Sequence, residues 1–320
     1  MASLREIKDR IGSVRSTLKI TSAMKLVASA KLRKAQRAIE ALRPYENALT
    51  DILVTASYGG ISPEPPAASS PFPTLLTQSP GAGRSADADF ASLNLPPTTD
   101  SNASRPGPTA VVAIASNSSL CGGFNANAVR LALETIRACG GGVEVYPLGR
   151  KMAEALKRAG YAADQDYNDL IAHPSYDKSA GLARSLAERF QAGEIARVVI
   201  VYNRFVSASS QEPVAEQYLP FASPVVLSES EESPAPNDYI LEPDAEALVA
   251  QLLPQVMLLK FHAAVLDSAA AEQAARTLAM QTASDNAEDL LGELTLEYNK
   301  GRQQKITAEI LDLLGGASGQ

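Results

Sequence analysis

The stretch of this chain that most invites chemistry is Ser119-Leu120-Cys121-Gly122-Gly123-Phe124-Asn125. It follows an apolar run that reads as a strand (110–116) and opens a segment with helical spacing, the place where nucleotide-binding folds put a phosphate-cradling loop. The residues do not fit that role. No Lys-Ser/Thr pair follows the glycines as in G-x-x-x-x-G-K-S/T, and G-x-G-x-x-G is absent, so the stretch reads as a tight structural turn. Cys121 beside a helix N-terminus could have a lowered pKa, but no histidine is near it in sequence to act as its base. His262 sits beside Phe261 in a helical stretch and reads as a packing or solvated side chain, and His173 precedes Pro174 in a loop. Two cysteines (Cys121 and Cys139) and two histidines are too few for a typical structural zinc site. No carboxylate pair, triad or metal cluster has the spacing that catalysis needs. The sequence therefore predicts no catalytic residue, no metal and no cofactor.

What has to be positioned is instead a surface, and the elements that would carry it lie at the two ends of the chain. From Pro243 to Leu314 the sequence is dense in good helix formers, interrupted only by Pro254 and ended by Gly315-Gly316. As one helix, Asp244 to Leu314 would run roughly 100 Å, deeper than any core a chain of this size can build. Met280, Ala283, Ala287, Leu290, Leu294 and Gly301, with Tyr298 just off register, approximate the narrow 3-and-4 seam of a coiled coil. At the other end, Ser3-Leu4-Arg5-Glu6 is a capping box. After it, Leu4, Ile7, Ile11, Val14, Leu18, Thr21, Ala28, Leu32, Ala35, Ile39, Leu42, Leu49 and Leu53 keep the same spacing, with Lys25 and Glu46 in the slots that break the apolar seam. The spacing predicts a helix over 3–57, with a possible kink at Pro44, paired antiparallel with the C-terminal one. Pro254 is expected to kink the second helix or delay its start.

Between the ends the character changes twice. Residues 59–108 are rich in Pro, Ser, Ala and Gly and read as a flexible insertion without a core of its own. From Thr109 a Rossmann-like α/β pattern begins. Strands at 110–116, 143–148 and 197–203 alternate with helices at 125–139, 150–159 and 178–191, and a β-rich run continues to Leu219. An acidic loop follows at 229–237. The predicted fold class is α/β: a long antiparallel coiled coil of the terminal helices plus a Rossmann-like domain. The expected division is 1–58, 59–108, 109–227, 228–242 and 243–320.

Composition narrows the class. The chain of 320 residues has 45% hydrophobic residues, 5% aromatic residues and no Trp, which suits an Ala- and Leu-rich helical protein. No secretion signal precedes the first helix and no 18-residue apolar run is expected to span a bilayer, so the reading is an intracellular, soluble protein that could reach a membrane through partners. The net charge of −7 is unevenly distributed: residues 1–43 hold eleven Lys or Arg and three acids, net +8, which leaves −15 for the rest. Such a helix is a solvated face, a site for an acidic protein partner, or a nucleic-acid binder.

The terminal motifs resemble the gamma subunit of the F-type rotary ATP synthase. RIGSVRSTLKITSAMKLVASAKLRKAQ (10–36) is similar to that family's N-terminal helix, and NKGRQQKITAEILDLLGGA (299–317) to its C-terminal signature around Ile306-Thr307, Glu309 and Asp312. EQAARTLAMQTASDNAEDLL (272–291) and LCGGFN (120–125) fit as well. Asn117-Ser118-Ser119 departs from the family's Asp-Arg-Gly type of sequence, and the insertion contains no Cys for a thiol switch. The resemblance implies a central rotor shaft turned by a membrane rotor ring inside a head of alternating alpha and beta subunits, with the α/β domain against the epsilon subunit. It implies that catalysis belongs to the beta subunits. Met24 and Lys25 would lie near acidic beta levers, and Arg302, Gln303 and Thr307 near a catch loop. It also implies a place on the cytoplasmic face of a bacterial inner membrane, and no nucleic acid. Two other readings stand beside it: a nucleic-acid binder using the basic helix, and a nucleotide enzyme built on 109–227.

Overall fold

The computed structural model describes residues 3–58, 107–140, 142–161, 167–220 and 244–317. The insertion up to residue 106 and the acidic loop lie outside these described residues. The elements in order are α1 (Leu4–Tyr58), β1 (Thr109–Ile114), α2 (Phe124–Ala138), β2 (Val143–Leu148), α3 (Arg150–Arg158), α4 (Asn168–Ala172), α5 (Tyr176–Gln191), β3 (Arg197–Phe205), β4 (Gln211–Leu219) and α6 (Ala245–Ala317). They form two compact units, Lys31–Ala275 and Met1–Ala30 with Arg276–Gln320, so the boundary falls inside both long helices.

The larger unit is a three-layer α/β/α body. Its sheet has the order β2-β1-β3-β4, with β1 parallel to both β2 and β3, and β4 antiparallel to β3. β1 is buried on both faces, which explains its continuous apolar run. Alternate residues of β1 serve opposite layers. Val111 and Ala113, with Ala115 just beyond the strand, meet Ala128, Ala132 and Ile136 of α2 and Met152 of α3. Ala110, Val112 and Ile114 meet Leu182 and Leu186 of α5 together with Leu253, Phe261 and Val265 of α6. Further along the long helices, Leu32 and Ile39 of α1 cluster with Leu266, Ala270 and Ala274 of α6.

In the smaller unit, α1 and α6 run antiparallel. Leu4 lies against Gly301, and Thr21 bonds to Ser284, 17 residues on along α1 and 17 back along α6. Among the buried and half-buried positions on this stretch of α6, which also include Gln281, Ala283 and Asn299, the residues Met280, Ser284, Ala287, Leu291, Leu294, Tyr298 and Gly301 keep a strict alternation of four and three. This corrects the sequence-derived seam. Ser284, Leu291 and Tyr298 belong to the register, whereas Leu290 points outward at 43% exposure. Gly301 sits in the seam because a Cβ there would come within 3.1 Å of the Leu4 side chain.

The helix ends also differ from expectation. α6 begins at Ala245, capped by Asp244 Oδ1, which accepts from the Ala247 amide at 2.7 Å. It continues through Pro254 and runs on through Gly315-Gly316 to Ala317. Leu253, Val256 and Met257, all buried, hold the segment around the proline and offset its missing hydrogen bond. α1 likewise passes through Pro44. Contrary to the hydropathy expectation, an 18-residue window in α6 has a mean hydropathy of 1.4 and passes the length and composition test for a membrane span, with half of that window buried. The reason is local: this helix is apolar on more than one side where the sheet and α1 flank it in the larger unit.

Candidate functional site

The loop 117–125 is built as a structural turn. Asn125 Oδ1 accepts from both the Ser116 amide (3.0 Å) and the Ser116 hydroxyl (2.9 Å), while its amide nitrogen donates to Cys121 Sγ at 3.1 Å. Leu120 and Gly122 take positive φ, 66° and 57°, so the chain can close on itself. Asn117 ties the turn to its neighbours, accepting from the Arg150 amide and donating to the Asn168 carbonyl. The thiol of Cys121 is 1% exposed and packs with Phe124, Ala271 and Ala275. These groups, with Asn203 donating to the Phe124 carbonyl at 3.3 Å, fill the crevice beyond the C-terminal ends of β1 and β3. That crevice is where an open α/β sheet binds a nucleotide. Here it is occupied by the chain's own side chains.

The remaining chemical candidates are also structural. His262 is buried, its Nδ1 is 2.7 Å from Ser179 Oγ, and Tyr176 stacks edge-on against it; burial pushes its pKa down. Arg189 forks onto Glu144 and also bonds Glu194, clamping α5 to β2. A cavity of about 250 Å³ is lined by Glu46, Tyr202, Arg204, Glu216, Lys260 and Asp267, among others. Burial raises the Glu46 carboxyl above its ordinary range and pushes Asp267 up to about 6. Among the described residues, no group of three His, Cys, Asp or Glu is placed to hold a metal ion.

The five residues singled out from sequence fall at two levels of the smaller unit. Met24 and Lys25 are half-buried on α1, and the Lys25 ammonium donates to Gln281 Oε1 at 2.7 Å. Arg302, Gln303 and Thr307 are all exposed on α6, about 20 residues and so about 30 Å along the helix from Gln281. The Thr307 hydroxyl donates to the Gln303 carbonyl at 2.9 Å, within its own helix. The structure therefore does not gather these residues into one pocket; it sets them out as a lower and an upper station. Residues missed from sequence are apolar ones facing away from the seam: Ile20, Leu26 (68% exposed) and Val27 on α1, and Leu296 (72%), Ile310 and Leu311 on α6. Their sequence signal was apolar character off the 3-and-4 register.

A family model described as ATP synthase matches residues 3–319. The ATP synthase gamma chain of Bacteroides fragilis is 44% identical over 322 residues, spanning 99% of each chain. This chain belongs to the ATP synthase gamma chain family. Within that family, the Bacteroides thetaiotaomicron gamma chain is 42% identical over 330 residues, again 99% of each chain. The Flavobacterium johnsoniae gamma chain is 37% identical, covering 99% of this chain and 98% of its own. Among solved structures, a chain of the Euglena gracilis mitochondrial ATP synthase (OSCP/F1/c-ring, rotational state 3) shares the fold at a TM-score of 0.61 and 19% identity, over 99% of this chain and 94% of that one. A chain of the Tetrahymena thermophila mitochondrial ATP synthase central stalk and c-ring gives a TM-score of 0.52 at 21% identity, over 83% and 99%. The family's paired terminal helices and α/β body are the architecture found here.

Proposed function

We propose that this chain is the central rotor shaft of an F-type ATP synthase, coupling proton-driven rotation of a membrane ring to ATP synthesis at the beta subunits. The observation that carries this reading is that α6 runs on past its partner helix. Gly301 lies opposite Leu4 near the start of α1, and every position from Arg302 to Leu311 is exposed, including Ile306, Ile310 and Leu311. An exposed apolar helix end is unfavourable in water and suits enclosure by other subunits. The filled crevice at the sheet's switch point supports a chain with no catalytic site of its own, the chemistry residing in the beta subunits. On this reading Met24 and Lys25 meet acidic levers of the beta subunits, and Arg302, Gln303 and Thr307 meet a catch loop. The alpha and beta subunits surround the shaft. The α/β domain rests on the epsilon subunit and the membrane ring, at the cytoplasmic face of a bacterial inner membrane.

The test is assembly of the complex in vesicles with and without this chain. ATP-driven proton transport is expected only with it. Equal transport in its absence would contradict the reading. Nothing observed favours the nucleic-acid alternative, since Lys25 and Arg43 of the basic helix face Gln281 and Asp267 of α6.

A further inference from the structure

Lys25 is held in an unusual way for a charge in a helix seam. Its ammonium donates to the side-chain oxygen of Gln281 at 2.7 Å, and the Gln281 amide nitrogen donates onward to Asp285 Oδ1 at 2.6 Å. The amide orientation is forced, because a flipped Gln281 would point its NH₂ at an ammonium and its oxygen at a carboxylate. The relay thus fixes the position of the ammonium without neutralising it: the nearest carboxylate in the relay is one amide away. A direct Lys–Asp pair would fix the group but cancel its charge towards a third party. One hydrogen of the ammonium is used, and two remain for a partner. One turn away, a buried hydroxyl pair fixes the spacing of the two helices. Thr21 Oγ1 donates to the Leu18 carbonyl at 3.1 Å, so the Ser284 hydroxyl is the donor in the 2.8 Å contact between Ser284 and Thr21.

We propose that Gln281 and Asp285 of α6 are positioning residues for Lys25, presenting its ammonium as a fixed and uncompensated charge to a carboxylate-bearing segment of the surrounding subunits. The inference rests on the reading of Lys25 as a partner contact and names what makes that contact directional. The two residues act through Lys25 and touch no reacting group. Their removal should therefore matter only while Lys25 is present.

The experiment is a double-mutant cycle in the assembled, vesicle-reconstituted complex, with proton transport per ATP hydrolysed as the readout. Lys25→Gln is expected to lower that ratio about threefold, Gln281→Leu to lower it by a similar factor, and the double variant to be no worse than either single one. Gln281→Glu, which puts a carboxylate directly on the ammonium and cancels its charge, should lower the ratio at least as much as Gln281→Leu does. Additive losses would overturn the positioning role, because Gln281 would then act independently of Lys25. So would a loss with Lys25→Gln but none with Gln281→Leu, and in that case the contact reading of Lys25 would survive. No loss with Lys25→Gln would overturn the contact reading and the positioning role together, leaving the shaft reading to the omission experiment above. A fall in the yield of assembled complex with Gln281→Leu that Lys25→Gln does not share would mean that Gln281 holds the helices together rather than positioning Lys25, and would count against the proposal.

Discussion

At the residue scale, the telling feature is how few polar side chains carry the interior and how fully most are matched. Among the described residues, Asp267 is one exception. Its Oδ1 is buried without a hydrogen-bond partner, and the nearest cation, Arg43, is 3.9 Å away. Burial raises its pKa first; Arg43 and Arg204 pull it down, while Glu46 and Glu216 push it up. A carboxyl held near 6 in the folded chain against about 3.9 in the unfolded one binds its proton more tightly when folded. Its contribution to stability is therefore fully present below about pH 4 and is lost as pH rises through about 6. Asp267→Asn should remove that slope, raising stability at pH 7.5 by on the order of 1 kcal/mol after allowance for solvent screening. Thermal melts of both forms from pH 4.5 to 8 check this. Parallel curves for the two proteins would show that Asp267 is not the titrating group.

At the element scale, the two long helices are held by a four-three seam that includes a buried hydroxyl pair. Thr21→Val alone leaves the Ser284 hydroxyl buried without its partner and should destabilise the chain by about 1–2 kcal/mol. Adding Ser284→Ala should recover most of that loss, because removing both partners leaves nothing unpaired. Urea midpoints for the single and double variants measure it, and additive destabilisation would mean that the hydroxyl contact is not the cause. The α1 seam was legible in the sequence, down to Thr21, because its apolar residues keep a single register and its other faces are strongly charged. The α6 seam was only partly legible. Leu290 is as apolar as its neighbour, and only packing against α1 selects Leu291 instead. The short α4 carried no periodic signal, and Pro254 and Gly315-Gly316 read as stops because local propensity cannot see the packing and helical continuity that override it. The Lys25–Gln281 contact joins residues 256 apart, beyond the reach of any local pattern.

At the scale of the whole molecule, the chain separates two tasks. The α/β body fills its own nucleotide crevice with Cys121 and Phe124 and keeps its charged clusters for internal clamps. The paired helices instead leave side chains exposed at two levels, Leu26 and Val27 beside the half-buried Lys25, and Arg302 to Leu311. A protein built this way transmits force and position to others. The most direct measurement fixes the catalytic head of the assembled complex to a surface and attaches a visible probe to an exposed residue of the α/β body, such as Arg184. ATP should drive the probe round in one direction, with pauses repeating as the successive beta subunits fire. A complex that hydrolyses ATP at its full rate while the probe stands still would contradict the account.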